Sequence, residues 1–223
     1  NTHDLGFIIH CSFGNAYRIT GDTSYLDVMQ QGIRSLMTRY NPTIGLFRSW
    51  DFGTWQFPVI IDNMMNLEFV YEMGKLNKDS SLILAAISHA DHTLMNHFRE
   101  DNSSVHVVDY DTVSAAVLLK QTHQGFSDES SWVRGQAWGL YGYTMMYRFT
   151  KHPAYLEQAE KIASFILNHP RLPKDKIPYW DFDAPNIPDE PRDASAAAII
   201  ASALIELSDH VTENNGYFET AEK

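Results

Sequence analysis

The sequence of 223 residues contains one cysteine, Cys11, and no uninterrupted apolar run of the ~18 residues that a membrane-spanning helix needs. A single cysteine cannot close a disulfide within the chain, and it excludes a metal centre held by several cysteines. The histidines show neither HxH nor HExxH spacing, so no transition-metal site is predicted. We expect no metal, no cofactor and no membrane span.

Basic residues are also scarce. The 17 lysines and arginines are outnumbered by 28 aspartates and glutamates, which gives a formal net charge of −11. Such a charge repels nucleic acid and anionic membrane surfaces, and neither is expected as a partner. The sequence also has no glycine-rich phosphate loop and no G-x-S-x-G elbow. An anionic ligand would have to be held by local groups against the overall field.

Helical periodicity dominates the chain. Apolar residues recur at intervals of three and four over residues 5–18, 25–38, 61–74, 81–98, 131–149, 155–167 and 194–208. Alternation typical of a strand is brief and covers residues 105–108. The sequence therefore predicts an all-α fold in which long loops rich in Pro, Gly and Asp join the helices.

An internal repeat divides these helices into hairpins. Three copies align, each with an aromatic residue at the end of one helix (Tyr17, Tyr71 and Tyr147), a short polar turn and a second helix; a fourth copy occupies residues 204–223. The first helix of each hairpin is apolar on most faces and the second is amphipathic. This alternation predicts a closed ring of hairpins, an α/α toroid. The alternative is an open α-solenoid, whose loops are usually shorter and more regular.

The predicted unit is a single domain, residues 1–223. A closed ring needs more hairpins than these four, and the sequence begins and ends within helical segments. We therefore expect a ring that is incomplete at both ends. On their own these residues are expected to be inactive or poorly folded, because the inner helix faces would be exposed.

Two aspartates are candidates for acid–base chemistry. Asp62 lies in the apolar stretch IIDNMM, where the loss of water would raise the pKa of its carboxyl toward neutrality. Asp4 follows His3 near the start of the first helix. Two carboxylates at the same rim of a toroid are typical of glycoside chemistry. Either aspartate can instead be a helix-start residue that is stabilised by the helix dipole.

Histidines give a weaker signal. His106 precedes the run VVDYD and is either a structural residue or a contact to a ligand. His89 and His92, in HADH, fall in an amphipathic outer helix, and they are predicted to belong to its solvated face.

The segment SSWVRGQAWG predicts a surface for a flat, anionic ligand. Arg134 and Trp138 are one helical turn apart and share a face, with Trp132 beside them. Arginine binds carboxylates through two hydrogen bonds, and tryptophan provides a flat surface for a sugar ring. Gly135 and Gly139 would let a ligand or another backbone approach. The alternative is a cation–π pair inside a helix interface.

Five motifs occur in order along the chain: THDLGF, IIDNMMNLE, THQGFSDESSWVRGQAWGLYGY, IPYWDFDAP and RDASAAAIIASALIEL. From residue 3 to residue 208 they resemble the unsaturated glucuronyl hydrolases of glycoside hydrolase family 88. The resemblance implies an (α/α)6 barrel, of which residues 1–223 would be a single catalytic domain truncated at both termini. It also implies a bacterial enzyme of glycosaminoglycan breakdown without a cofactor, in the periplasm or the cytoplasm.

The resemblance implies a role for each candidate residue. Asp62, in IDNMMNLE, is the implied general acid and base, and Asp4, in THD, is the implied second essential carboxylate, which positions the substrate ring. The implied substrate-binding residues are His3, Trp50, His106, Gln124, Trp132, Arg134 and Trp138.

The implied substrate is a small oligosaccharide with an unsaturated uronic acid at its nonreducing end, the product that polysaccharide lyases leave. The enzyme would hydrate the C4=C5 vinyl ether and release that sugar. Three alternatives remain: an unsaturated rhamnogalacturonyl hydrolase of the related family 105, a non-catalytic sugar-binding toroid, and a toroid enzyme that acts on a saturated sugar. The RGQAW motif favours the family 88 activity over that of family 105.

Overall fold

The computed structural model describes residues 2–211 and 216–223, and most of these residues are helical. Helix α1 (Leu5–Ile9) continues through a π-helical turn (His10–Gly14) into α2 (Asn15–Thr20). The later helices are α3 (Ser24–Met37), a 3-10 helix (Ile61–Asn66) that leads into α4 (Leu67–Asn77), α5 (Ser80–Asn96), α6 (Val133–Thr150), α7 (Pro153–Leu167), α8 (Ala194–Ser208) and α9 (Tyr217–Ala221). These bounds confirm the all-α prediction and the place of each predicted helix. None of the helices in the described ranges is long and apolar enough to cross a membrane.

The helices pack as the repeat predicts. Helix α1 lies on α3, α4 on α5, α6 on α7, and α8 on α9, so each pair forms a hairpin. The first helices of neighbouring hairpins also pack together, α1 on α4, α4 on α6, and α6 on α8. Left-handed residues (Gly21, Lys78 and Lys151) end α2, α4 and α6 and turn the chain toward the second helix. The predicted fourth turn falls on residues 212–215, outside the described residues.

Two of the inner helices, α6 and α8, differ in burial. Helix α6 is buried on most faces, as predicted, because α4, α7, α8 and the 3-10 helix surround it. Helix α8 is buried on one side only. Its Ile200 and Leu204 are buried against neighbours, whereas Ile205 is 44% exposed. The composition of α8, apolar on most faces, predicts burial on most faces, and this prediction is wrong for the described part of the chain, in which α6 and α9 cover only one side of the helix.

Short strands connect the helical hairpins. Strands β1 (Tyr40–Asn41) and β2 (Leu46–Phe47) form one antiparallel ladder, and β3 (Pro58–Ile60), β4 (Val107–Tyr110) and β5 (Val117–Gln121) form an antiparallel sheet in that order. Ile60 lies opposite Val107, and Val107 lies opposite Gln121. Only β4 was indicated by the sequence, through the alternation at residues 105–108. The β3 side chains are all buried, so β3 shows no alternation.

The prediction of a solvated HADH face is wrong for His89. This side chain is fully buried, and its Nδ1 accepts a hydrogen bond from the backbone N–H of Phe47 at 3.1 Å. Burial lowers the pKa of His89 to about 3, so the ring is neutral at pH 7. His89 therefore joins α5 to β2, while His92 remains partly exposed.

Two glycines let α6 lie against the 3-10 helix. A Cβ added at Gly142 would stand 2.5 Å from Cβ of Met64, and one at Gly135 would stand 2.9 Å from Cγ2 of Ile61. At Gly139 the nearest atoms would be 3.4 Å away, which is an ordinary contact. The close approach of α6 therefore depends on Gly135 and Gly142 rather than on Gly139.

We predict that Gly142→Ala lowers the free energy of unfolding of the natural protein by about 1–3 kcal/mol, because the new methyl group overpacks against Met64. Gly139→Ala is the matched control. It keeps an ordinary contact and gains up to about 1 kcal/mol of helix propensity. Urea unfolding curves of the two variants provide the measurement, and equal changes would contradict the predicted contact.

Candidate active site

One end of the three-stranded sheet brings together residues that are far apart in sequence. Asp62 follows the end of β3, His106 precedes β4, and Gln124 follows the end of β5. Because the strands are antiparallel, these three positions meet at the same edge of the sheet. The backbone N–H of Ile61 donates to the carbonyl of His106 at 3.1 Å and continues the ladder up to Asp62.

The Asp62 carboxyl lies in a nearly dry position. The residue is 7% exposed, and Oδ2 is buried without a hydrogen-bond partner among the described residues. Burial raises the pKa of Asp62 to about 7, and the negative charge of Asp4 acts in the same direction. A hydrogen bond between the Asp62 carboxyl and its own backbone, and then the nearby His3 and Arg134, lower the pKa only in part. A carboxyl group with this pKa exists in both protonation states at neutral pH and can donate or accept a proton.

His106 faces Asp62 across 3.8 Å, measured from Nε2 to Oδ2. Burial lowers the pKa of His106 to about 3, so the ring is neutral at pH 7 and the pair is not an ion pair. Its Nδ1 accepts the backbone N–H groups of His123 and Gln124 at 3.0 and 3.2 Å. A neutral ring that accepts at Nδ1 carries its hydrogen on Nε2, and this N–H is directed to the Asp62 side.

Asp4 has the opposite electrostatic environment. His3 Nε2 lies 2.9 Å from its Oδ1, and this contact holds the pKa of the Asp4 carboxyl below its usual value. Asp4 occupies the N-cap position of α1, but its side chain makes no capping hydrogen bond. The helix-start interpretation is therefore correct for its position only. Asp62 and Asp4 form a carboxyl pair with one pKa near neutrality and one below the usual range.

Asp62 and Asp4 line one cavity of about 850 Å3. Of the predicted site residues, His3, Trp50 and Gln124 line it as well. The other lining residues are Thr2, Arg39, Ser49, Asp51, Phe52, Ile60 and His123. The cavity therefore joins the start of α1, the loop after β2, the end of β3 and the loop after β5.

The WVRGQAW segment contacts His106, and neither this segment nor His106 is among the residues that line the 850 Å3 cavity. The Trp132 ring lies 4.7 Å from the His106 ring, and the Arg134 guanidinium lies 4.8 Å from the centre of Trp132. Arg134 also forms a 2.8 Å ion pair with Asp193, whose other oxygen caps α8. The cation–π alternative is therefore present in the structure. The Arg134 side chain remains 32% exposed.

Trp138 has different neighbours from Arg134. Its ring packs edge-on against Phe7 at 5.0 Å and Tyr141 at 5.9 Å, and it is buried. It is not among the residues that line the 850 Å3 cavity. The shared helix face was predicted from spacing, but α1 covers the Trp138 end of that face through Phe7.

Comparison with known proteins is consistent with this geometry. The chain is 52% identical to an unsaturated glucuronyl hydrolase of Formosa agariphila over an alignment 223 residues long, which covers 99% of this chain and 56% of that protein. A crystal structure of an unsaturated glucuronyl hydrolase specific for heparin is 57% identical and superimposes with a TM-score of 0.97, covering 100% of this chain and 60% of that one. The chain belongs to the unsaturated glucuronyl hydrolase family.

A third comparison adds a ligand. An aspartate-to-asparagine variant of the Streptococcus agalactiae unsaturated glucuronyl hydrolase, complexed with dGlcA-GalNAc6S, is 31% identical and has a TM-score of 0.79. The superposition covers 100% of this chain and 54% of the Streptococcus agalactiae chain. The chain thus spans a little over half the length of the family members it matches, and it has their helical-barrel fold. No family model matches it.

The sequence analysis did not predict every residue of the cavity wall. Trp50 is the centre of an aromatic cluster: its ring stacks on Phe52 at 5.1 Å and lies 5.3 Å from Trp55 and 5.2 Å from His123. Phe52 is 56% exposed and offers an aromatic face to the cavity. The concentration of aromatic residues in the loop after β2 could have indicated Phe52 as a cavity residue. His123 stands next to Gln124 in HQGF, but no spacing rule distinguishes a ring that lines a cavity from one that does not.

The described residues contain no group of three or more His, Cys, Asp or Glu side chains placed to hold a metal ion. That the natural protein works without a metal remains a prediction.

We predict that Asp62→Asn raises the stability of the natural protein more at pH 8 than at pH 4. An aspartate with a folded pKa of about 7 and an unfolded pKa of about 3.9 destabilises the fold as pH rises between these values, by up to roughly 4 kcal/mol. Asp4→Asn is the control with the opposite sign, because its lowered pKa stabilises the fold at neutral pH and this contribution is lost as pH falls. Urea unfolding at several pH values tests both, and an Asp62→Asn gain that does not change with pH would contradict the raised pKa.

Proposed function

We propose that the natural protein is a glycoside hydrolase that acts on unsaturated uronyl oligosaccharides by hydrating the C4=C5 vinyl ether of the terminal sugar. The observation that carries this proposal is the Asp62 carboxyl, whose pKa of about 7 lets it serve first as acid and then as base in the cavity. We also propose that residues 1–223 belong to a single catalytic barrel domain. The family membership and the TM-score of 0.97 to a glucuronyl hydrolase support both proposals.

The chemistry uses one proton carrier twice. Protonated Asp62 gives its proton to C4 of the vinyl ether, and the positive charge that forms is shared by C5 and the ring oxygen. The Asp62 carboxylate then takes a proton from water while the water oxygen bonds to C5. The hemiketal so formed opens to a C5 ketone, and the hemiacetal left at C1 expels the rest of the oligosaccharide. The sum is the addition of one water molecule, and the anomeric carbon is not attacked.

His106 and Asp4 have complementary proposed roles. The Nε2–H of neutral His106 can donate to the Asp62 carboxylate or to substrate beside it, and it adds no charge to the site. Asp4 stays ionised because its pKa is lowered, so it accepts hydrogen bonds from sugar hydroxyls and does not compete as a proton donor. Its negative charge also favours the protonated form of Asp62 and the developing positive charge at C5.

The substrate carboxylate is assigned to the Trp132–Arg134 side of the site. The pair with Asp193 fixes the guanidinium over Trp132, and its exposed part can bind an anionic group. His3, Trp50 and Gln124 line the cavity and are the proposed sugar contacts. Trp138 is retained as a proposed binding residue that acts through Phe7 and α1, since it packs there.

The proposed substrates are disaccharides that lyases release from glycosaminoglycans. Chondroitin- and hyaluronan-type disaccharides are the first candidates, because they belong to the glycosaminoglycan products that the resemblance to family 88 implies. The matched structures described as specific for heparin and as complexed with dGlcA-GalNAc6S support sulfated members of the class. The rhamnogalacturonan disaccharide remains the second candidate, since the same vinyl ether is present in it.

We predict that the natural protein hydrates at least one unsaturated chondroitin, hyaluronan or heparin disaccharide, so that the ultraviolet absorbance of the C4=C5 bond is lost. We expect Asp62→Asn to lower the rate of this loss by about a thousandfold or more, because no other group with a pKa near 7 is assigned to the proton transfer. The measurement is absorbance against time for each disaccharide with both proteins. Asp51→Asn, in the same cavity but outside the proton path, is the matched control.

Three results would contradict the proposal in different ways. Equal rates for wild type and Asp62→Asn would keep the reaction and exclude Asp62 as the proton carrier. Turnover of the rhamnogalacturonan disaccharide alone would assign the second candidate. If every disaccharide binds and none loses absorbance, the site is a sugar-binding surface without this chemistry.

A further inference from the structure

Asp181, in the YWDFD segment between α7 and α8, is a carboxylate with no exposure to solvent. Its Oδ2 accepts hydrogen bonds from the backbone N–H of Phe126 at 2.9 Å and from Oγ of Ser130 at 2.8 Å, and its Oδ1 accepts from the backbone N–H of Asp183 at 2.8 Å. None of the salt bridges among the described residues includes Asp181. Burial of a carboxylate costs several kcal/mol unless its oxygens accept hydrogen bonds, so these three donors make the burial of Asp181 possible.

Asp181 joins two segments of the chain. Phe126 and Ser130 belong to the loop of residues 122–131 between β5 and α6, whereas Asp181 belongs to the segment before α8. Backbone hydrogen bonds beside it, from Phe182 N–H to the Ser131 carbonyl and from Val133 N–H to the Trp180 carbonyl, continue the same junction. An apolar side chain would fill this position without the cost of desolvation but would leave the loop donors unpaired.

The other end of the same loop holds His106. The His123 and Gln124 N–H groups that fix its Nδ1 as an acceptor precede Phe126 by only three and two residues. Gly125 N–H donates to Oγ of Thr122 at 2.7 Å and closes a tight turn. A displacement of Phe126 at Asp181 is therefore expected to move the N–H groups that bind His106. The side chains of His123 and Gln124 both line the cavity.

We propose that Asp181 is a positioning residue of the active site: it anchors the 122–131 loop so that two backbone N–H groups hold His106 in the tautomer whose Nε2–H faces Asp62. Loss of the anchor frees the N–H groups from Nδ1 and lets the ring exchange tautomers. In part of the molecules, the Nε2 atom of His106 that faces Asp62 would then carry no hydrogen. Gln124 would shift with the loop. Only the kinetic part of this inference rests on the proposed function.

The first test measures the tautomer directly. Asp181→Asn keeps the size of the side chain but replaces one acceptor oxygen with a donor, so it cannot accept all three hydrogen bonds. Asp183→Asn is the matched control, since Asp183 lies two residues away in the same motif and its side chain is 49% exposed. Its Oδ2 accepts one hydrogen bond from the loop, from Ser131 N–H at 3.3 Å, and an asparagine oxygen can still accept that single bond. Nitrogen NMR of histidine-labelled natural protein reports the protonation of each ring nitrogen. We expect a single Nε2–H form of His106 in wild type and Asp183→Asn, and a mixture in Asp181→Asn.

A second variant disturbs the same loop with the carboxylate kept. A Cβ at Gly125 would stand 2.6 Å from Oγ of Thr122 and 3.2 Å from Oδ2 of Asp181, so Gly125→Ala pushes the turn away from its anchor. If Asp181→Asn does not fold, Gly125→Ala carries the test, and it is expected to give the same mixture. A single Nε2–H form of His106 in every folded variant of Asp181 and Gly125 would overturn the proposal, whether or not the protein turns over any disaccharide.

The kinetic test separates positioning from general destabilisation. On a disaccharide that wild type hydrolyses, Asp181→Asn should lower kcat by about tenfold or more at a temperature where it is fully folded, and it should displace the pH profile of kcat, because the neighbour of Asp62 has changed. Asp183→Asn should stay within about twofold of wild type in kcat and keep the wild-type pH profile. A reduced kcat with an unchanged pH profile would overturn the proposed link from Asp181 to Asp62.

Discussion

The burial of the Asp62 carboxyl is the constraint on which the rest of the site depends. A buried carboxylate with one oxygen unpaired is costly, and the fold tolerates it because the group can take up a proton near neutral pH. Its surroundings keep this balance. His106 is neutral, Asp4 adds a negative charge, and Arg134, which already has Asp193 as a partner, lies over the Trp132 ring. Each of these groups comes from a different element, so the helical hairpins and the small sheet must all be in place before the balance exists.

Much of the fold could be predicted, because helix periodicity is a local property. The raised pKa of Asp62 was likewise predictable from its apolar neighbours in IIDNMM. The sheet was less accessible: β3 is three buried residues without alternation, and β5 lies in a loop whose apolar side chains are largely exposed. The strand register that carries His106 and Gln124 to Asp62 is a long-range property, and the sequence around each residue holds no sign of it.

The position of side chains on α6 shows the same limit. Spacing places Arg134 and Trp138 on one face, and that is correct as helix geometry. Which part of the face meets the cavity depends on α1, whose Phe7 covers Trp138. Periodicity also predicted a solvated His89, but one backbone N–H from β2 makes burial of its ring favourable. In both cases the deciding partner comes from elsewhere in the chain.

Two buried carboxylates hold the loops around the cavity by their backbones. Asp109 accepts the N–H groups of Gln56 and Phe57, as Asp181 does for the loop before α6. A loop fixed in this way depends little on its exposed side chains for its shape, because its anchors are backbone N–H groups and a few buried or half-buried hydroxyl groups. Mutations at its exposed positions, such as Phe126, can accumulate without displacing the proton-transfer groups. The layout thus separates two heritable traits: the exposed positions of these loops can diverge among descendants, while the positions of the buried groups around Asp62 are inherited unchanged.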